Sequence, residues 1–265
     1  MYNFTYHRPA TLADAVSLLG SMEDGKALSG GQTLLPTLKQ RLASPADLVD
    51  LSRVPDLKGV REEAGGLTVG AFTHHADVAG SDLVARVIPA LAHLAGGIGD
   101  RQVRHRGTLG GSIANADPAA DYPAAVLGLN ATVRTDRREI AGDDFFTGMF
   151  ETALAPGELV TAVHFPKPDA AGYAKFANPA SRYAMVGVFI ARFGGTVRVA
   201  VTGAGPSVFR VPAMEAALAA SFTPDAVAGI TVPADGLNSD MHASAEYRAH
   251  LVTVMAKRAM MQAVG

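Results

Sequence analysis

The chain has no cysteine and no tryptophan, and only 18% of its 265 residues are charged. Without cysteine there is no disulfide, no thiolate zinc site and no cysteine-ligated iron–sulfur cluster. Any such cluster that works with this protein must belong to another chain. The few charges nearly cancel: the net charge is −2 and the pI near 6.4, so there is no basic stripe of the kind that holds nucleic acid. No stretch reaches the roughly 20 consecutive apolar residues of a membrane-spanning helix. The first residues, Met1 to Pro9, lack the basic segment and apolar core of a secretory signal, and a cytoplasmic location is the expectation.

Several catalytic signatures are missing as well. No serine sits in G-x-S-x-G, there is no H-E-x-x-H, and no thiol can act as a nucleophile, so the common hydrolase classes recede. The only Gly-Lys pair, Gly25-Lys26, is followed by Ala27, which excludes a P-loop, and no glycine run fits the dinucleotide fingerprint G-x-G-x-x-G. His74 and His75 are adjacent, so they face different sides of a helix and lack a metal-ligand spacing; both read as structural or surface residues. Asp117 and Asp121 lie too close together in one loop to flank a sugar ring as paired catalytic carboxylates.

What the chain does have is glycine, 28 residues of it, and two glycine-bearing loops stand out. The first is Ser29-Gly30-Gly31-Gln32-Thr33-Leu34; the second runs from Thr108 through Gly110, Gly111 and Ser112 to Asp121. Each sets hydroxyls beside a Gly-Gly pair. Glycine lets backbone N–H groups approach a ligand without a Cβ in the way, hydroxyls add donors, and convergent N–H groups form an anion-binding concavity. Two such loops predict a clamp on a pyrophosphate. The first is preceded by a strand and followed by a helix that starts near Thr33, an order that directs free N–H groups at an anion. The basic cluster Arg101, Arg104, His105 and Arg106 just before the second loop reads either as a help to an anionic ligand or partner, or as a solvated loop.

Periodicity places the rest. Strands are expected at 3–6, 26–28, 47–51, 67–71, 131–135, 138–141 and 158–165, with helices beginning at Thr11, Thr73 and Asp121 and a further one over 83–94. Beyond Pro168 three strands follow one another, at 172–176, 184–193 and 196–201, the last two joined by a Gly194-Gly195 hairpin; helices over 211–219 and 247–263 complete the chain. The reading is α+β, with a unit over 1–168 (a small α/β part over 1–53 and a larger part over 54–168) and a second unit over 169–265.

The two loops, with the stretch from Ile98 to Pro123 (Ile-Gly-Asp-Arg-Gln-Val-Arg-His-Arg-Gly-Thr-Leu-Gly-Gly-Ser-Ile-Ala-Asn-Ala-Asp-Pro-Ala-Ala-Asp-Tyr-Pro), resemble the FAD-binding medium subunit of the molybdenum hydroxylases. That family includes carbon monoxide dehydrogenase medium subunits and the flavin domain of xanthine dehydrogenase. The resemblance implies a two-part FAD-binding domain of the PCMH or vanillyl-alcohol oxidase type, followed by a three-stranded antiparallel sheet with helices. It implies one FAD in this chain, with pyrophosphate at the two loops, Ile98 near the flavin ring, Asp121 at the sugar region and Lys175 facing the crevice beside Tyr183. By the same resemblance, iron–sulfur clusters belong to a small partner subunit and the molybdenum cofactor to a large one, the three assembling as a dimer of heterotrimers. The activity implied is that of an oxidoreductase subunit passing electrons from the clusters through FAD to an external acceptor. No catalytic side chain and no metal ligand is assigned. Two alternatives stand beside it: a self-contained FAD reductase or oxidase, and a non-catalytic nucleotide-binding module.

Overall fold

The strand–helix alternation of the first fifty residues is realised as a small parallel sheet in a computed structural model that describes all 265 residues. After β1 (Thr5–His7), helix α1 (Leu12–Ser21) crosses to β2 (Gly25–Leu28); the first glycine loop and α2 (Leu34–Lys39) then lead to β3 (Asp47–Asp50), which lies between the other two. Thr11 caps α1 as expected, its hydroxyl accepting from the Asp14 N–H at 3.1 Å. Ala15 and Leu19 of α1 face Val49, Leu51 and Leu57, which pins the helix to the sheet.

A second, antiparallel sheet forms the middle of the molecule. It begins with β4 (Val60–Glu63) and β5 (Gly66–Gly70), after which six helices intervene: α3 (His75–Ala79), α4 (Asp82–Val87), α5 (Pro89–Gly96), α6 (Arg101–Arg106), α7 (Leu109–Asn115) and α8 (Tyr122–Gly128). Strands β6 (Thr132–Thr135) and β7 (Glu139–Ala141), the short α9 (Gly142–Phe145) and a hairpin of β8 (Phe146–Gly148) and β9 (Glu151–Thr152) follow; β10 (Val160–Pro166) then inserts between β5 and β6. Leu67, Val69, Val163 and Phe165 project from this sheet into a core shared with Leu91, Leu94, Ile113 and Tyr122 of the helices.

Four expectations change here. The helix expected over 83–94 is two helices, because Pro89 has no N–H to donate and drives Ile88 to φ −139°, ψ 75°. Thr73 does not cap α3; its hydroxyl exchanges hydrogen bonds with the backbone of Gly59 and leaves His74 at the cap position. The basic cluster 101–106 is a helix, capped by Asp100. Much of the second glycine loop is helical too, as α7.

Glu158, just ahead of β10, fastens the far end of this sheet. Arg138 grips its carboxylate through Nε and Nη2 at 3.0 Å each, Thr135 Oγ1 donates at 2.8 Å and the Ala155 N–H at 2.8 Å. These donors, Arg138 first, hold the carboxyl down to about 2 from an ordinary 4.5. A depressed carboxyl stabilises the fold above its unfolded value and loses that contribution as pH falls toward the folded one. Glu158→Gln is therefore expected to lower the unfolding midpoint by several degrees at pH 7, with the gap to the unaltered chain closing between about pH 4.5 and 2. Thermal melts across that range check it; a gap constant with pH would refute the assignment.

The third sheet is built from β11 (Ala170–Ala177), β12 (Ala184–Phe193), β13 (Thr196–Thr202) and the two-residue β14 (Phe209–Arg210), all antiparallel. Helices α10 (Pro212–Ala220) and α11 (Ala245–Val264) follow. Alternation on β12 explains its near-continuous burial: Val188 and Ile190 face Leu251, Met255 and Ala256 of α11, whereas Phe189 and Ala191 face the middle core with Tyr173. The sheet is thus covered on both faces, and its edge at residues 178–183 projects toward the glycine loops.

Candidate functional site

The two glycine loops meet. Ser29 Oγ and Thr108 Oγ1 lie 2.7 Å apart, and Gly30 sits so close to the second loop that a Cβ there would fall 2.2 Å from the Arg106 carbonyl oxygen. Gly31 has φ +72°, the left-handed region where only glycine is at ease. Beside this crossing opens a cleft of ≈ 690 Å³, within the range of small-molecule and cofactor sites. Twelve of the thirteen residues singled out from sequence line it: Ser29, Gly30, Gly31, Gln32, Thr33, Leu34, Ile98, Thr108, Gly110, Gly111, Ser112 and Asp121.

The loops contribute differently from the symmetric clamp expected. In the first, the N–H groups of Gly30, Gly31, Gln32, Thr33 and Leu34 donate to no protein acceptor, and Thr33 makes no capping bond. Five successive amides are thus free at the cleft wall. In the second, the amides are spent on the fold: Leu109 donates to Thr73 O at 3.1 Å, Gly110 to Ala71 O at 2.8 Å, Gly111 to Thr108 Oγ1 at 3.2 Å and Ser112 to Thr108 O at 3.0 Å. What the second loop offers is side chains, since Ser112 and Asn115 line the cleft with no hydrogen bond of their own. Gly110 is bare for the sake of packing on Ala71, whose Cβ would be 2.5 Å from an added one.

The rest of the wall comes from two turns. Ile98 and Gly99 sit where Arg104 Nη1 donates to both of their carbonyls at 3.0 Å, so one member of the basic cluster shapes the cleft without lining it. Across from them the tip of the third sheet supplies Ser181, Arg182 and Tyr183, and Arg182 Nη1 reaches the Gly99 carbonyl at 3.4 Å. Burial raises the Tyr183 phenol, and the nearby Asp117 and Asp121 raise it further.

Asp121 and Lys175 turn out to serve each other. The Asp121 carboxylate, 4% exposed, accepts from Tyr173 Oη at 2.6 Å and pairs with Lys175 Nζ at 2.8 Å. Lys175 also donates to the Arg182 carbonyl at 2.9 Å and does not line the cleft, so the crevice-facing position expected for it is replaced by a place behind the wall. Nor does Asp121 cap α8; its oxygens are taken by β11 instead. Burial pushes its carboxyl up, opposed by the Lys175 charge and the Tyr173 hydroxyl.

His75, read from sequence as structural or surface, lies 5% exposed in the cleft wall. Burial pulls its imidazole down to about 4, with His74 and Arg104 adding to the fall, so it is neutral at pH 7. No local signal marks it, because the contact with Gly107 that brings it here is tertiary: the His75 N–H donates to the Gly107 carbonyl at 2.9 Å.

A cleft with a strip of free amides, unpaired hydroxyl and amide side chains and apolar lining that includes Leu51, Leu57, Phe72 and Ile98 suits a ligand that is anionic in one part and apolar in another. FAD has that chemistry, and the residues present fit it.

Comparison with known proteins agrees. Residues 2–168 match the family model described as the FAD binding domain in molybdopterin dehydrogenase. The chain is 38% identical over 272 residues to the nicotine 6-hydroxylase medium subunit of Paenarthrobacter nicotinovorans, covering 97% of this chain and 96% of the relative. It is 38% identical over 288 residues to the carbon monoxide dehydrogenase medium chain of Afipia carboxidovorans, covering 98% and 96%. Among solved structures, reconstituted CO dehydrogenase from Oligotropha carboxidovorans superposes with a TM-score of 0.89 at 34% identity, covering 98% of this chain and 97% of that one.

Proposed function

The chain belongs to the FAD-binding family of molybdopterin dehydrogenases and is an oxidoreductase subunit, and from that premise we propose how it holds FAD and what it assembles with. The FAD pyrophosphate lies on the free amides from Gly30 to Leu34, with Ser112 and the Ser29–Thr108 hydroxyl pair completing the contact. The flavin ring lies between Ile98 and the 181–183 tip, and residues 1–168 form the cofactor-binding unit against a C-terminal unit over 169–265. Bound FAD supplies a redox group that takes up electrons singly or in pairs. The protein's part is to bind and orient it; no side-chain acid, base or nucleophile is required for that.

The partners in this reading are a small iron–sulfur subunit and a large molybdenum subunit, in a cytoplasmic dimer of heterotrimers. The observation that carries the proposal is the run of five amides without protein acceptors, opening on a cleft wide enough for a cofactor. The absence of cysteine agrees with it, since electrons must reach this chain from clusters held elsewhere. The test is the absorption spectrum of the purified chain before and after adding FAD, with the acid-released cofactor identified. Flavin bands and recovered FAD are expected at about one per chain; a colourless protein that refuses FAD would end the reading. Affinity purification of the tagged chain from its own cells is expected to bring down one small and one large subunit carrying iron and molybdenum.

A further inference from the structure

Between α7 and α8 the second glycine loop ends in Asp117-Pro118-Ala119-Ala120-Asp121, of which Asp117, Ala120 and Asp121 line the cleft. The segment makes its own inner turn: the Ala119 N–H donates to Asp117 Oδ1 and the Ala120 N–H to the Asp117 carbonyl, both at 2.9 Å. The next three carbonyls are taken from outside, all by the third sheet. The Gly203 N–H donates to Pro118 O at 2.8 Å and the Ala184 N–H to Ala119 O at 3.2 Å. The Thr202 hydroxyl shares its proton between Ala120 O at 2.6 Å and Pro118 O at 3.1 Å.

These donors are the first residue of β12, the last of β13 and the turn after it, so one end of the sheet holds the whole segment. The grip is backed from behind. Arg248 of α11, 4% exposed, donates through Nη1 to Met185 O at 2.7 Å and to Gly203 O at 3.0 Å, while its Nη2 pairs with Asp240 at 2.7 Å. Thr202 is the one side chain among the donors to the segment. It is fully buried opposite Gly187 of β12, where an added Cβ would stand 2.9 Å from the Thr202 Cγ2. Its methyl fills the space that the glycine leaves, and a β-branched side chain is stiff at χ1, so the hydroxyl is fixed toward the loop.

We propose that Thr202 is a positioning residue for the cofactor: through the carbonyls of Pro118 and Ala120 it sets where Asp117 to Asp121 stand in the cleft, so that FAD affinity depends on a hydroxyl that does not itself line the site. The inference rests on the FAD reading given above. A hydroxyl can stand 2.6 Å from the Ala120 oxygen because it donates to it, whereas a carbon comes no closer to an oxygen than about 3.3 Å. Valine at 202 keeps the shape and puts a methyl in the place of the hydroxyl. The segment must then shift.

FAD titration, melting curves and hydrogen exchange of the full chain test this. FAD is expected to bind about tenfold more weakly to Thr202→Val and roughly fivefold more weakly to Thr202→Ala, which removes the donor without the clash and serves should the valine chain not fold. Thr202→Ser keeps the hydroxyl and is expected to stay within about threefold of normal. The control is Thr253→Val on α11, which loses a bond of the same 2.6 Å length, to Ile230 O, away from the cleft. It is expected to melt a few degrees lower, as Thr202→Val does, and to bind FAD normally. In the FAD-free chain, exchange over 117–121 is expected to quicken in Thr202→Val and Thr202→Ala and to stay unchanged in Thr253→Val. Unchanged exchange in the two Thr202 variants overturns the hold on the segment. Normal FAD affinity in them, or an equal loss in Thr253→Val, overturns its bearing on the cofactor. An unaltered chain that refuses FAD overturns the reading beneath, and exchange still decides the hold.

Discussion

Gly110→Val is expected to lower the midpoint of thermal unfolding by roughly 10 °C, while Gly30→Ala is expected to stay within about 5 °C of normal and still bind FAD at least tenfold more weakly. Both glycines lie in a Gly-Gly pair of the cleft, yet they are bare for different reasons. At Gly110 a Cβ would stand 2.5 Å from the Ala71 Cβ and 2.8 Å from its carbonyl oxygen, the same oxygen that accepts the Gly110 N–H. Rigid backbone cannot give way as a side chain can, so α7 must lift from the end of β5. Overpacking of this kind costs ~1–3 kcal/mol or more, and the broken hydrogen bond adds ~1 kcal/mol. At Gly30 the clash is with backbone too, 2.2 Å to Arg106 O and 2.8 Å to the Gly107 Cα, but it lies where the first loop crosses the end of α6, so relieving it shifts the loop instead of lifting a helix from a sheet, which breaks the Ser29–Thr108 bridge and displaces the free amides. Melting curves and FAD titration of the two variants decide the matter. A Gly110→Val protein with a normal midpoint and no FAD would mean that Gly110 is bare for the cofactor after all.

That contrast also marks how far the sequence could be read. Both loops were visible because Gly-Gly flanked by hydroxyls is a local feature, and β12 and β13 were visible because sheets buried on two faces leave uninterrupted apolar runs. The Thr11 cap and the Gly194-Gly195 hairpin are equally local. Strand β4, Val-Arg-Glu-Glu, was not seen, because as an exposed edge strand it has no apolar alternation to show. Which amides of a glycine loop are free is a matter of which acceptors surround it: Ala71, Thr73 and the loop's own Thr108 take those of the second loop, and nothing takes those of the first. The place of His75 in the cleft wall is hidden for the same reason, since it depends on Gly107 and Tyr122, both distant in sequence. Lys175 was expected to face the cleft on resemblance alone; its partner Asp121, 54 positions away, holds its ammonium behind the wall instead.

The pair those two residues form leads to the other large effect. Asp121→Ala is expected to destabilise the fold by ~3–5 kcal/mol, the usual consequence of removing one partner of a buried ion pair. The Lys175 side chain is 11% exposed, so its ammonium would be left with the Arg182 carbonyl and little water, and the buried Tyr173 hydroxyl would lose its acceptor. Removing both charges is different in kind, because an apolar pair of similar volume has no desolvation to offset. Asp121→Leu combined with Lys175→Met is therefore expected to recover at least half of the loss. Denaturant unfolding of the unaltered chain, the two single variants and the double variant gives the coupling directly. Additive losses would show that the two side chains act independently. Recovery of stability without recovery of FAD would show something further: Asp121 begins α8 at the floor of the cleft and Lys175 lies on β11 beneath the 181–183 tip, so their charge pair would be setting the spacing between the loops and the wall that closes over the flavin.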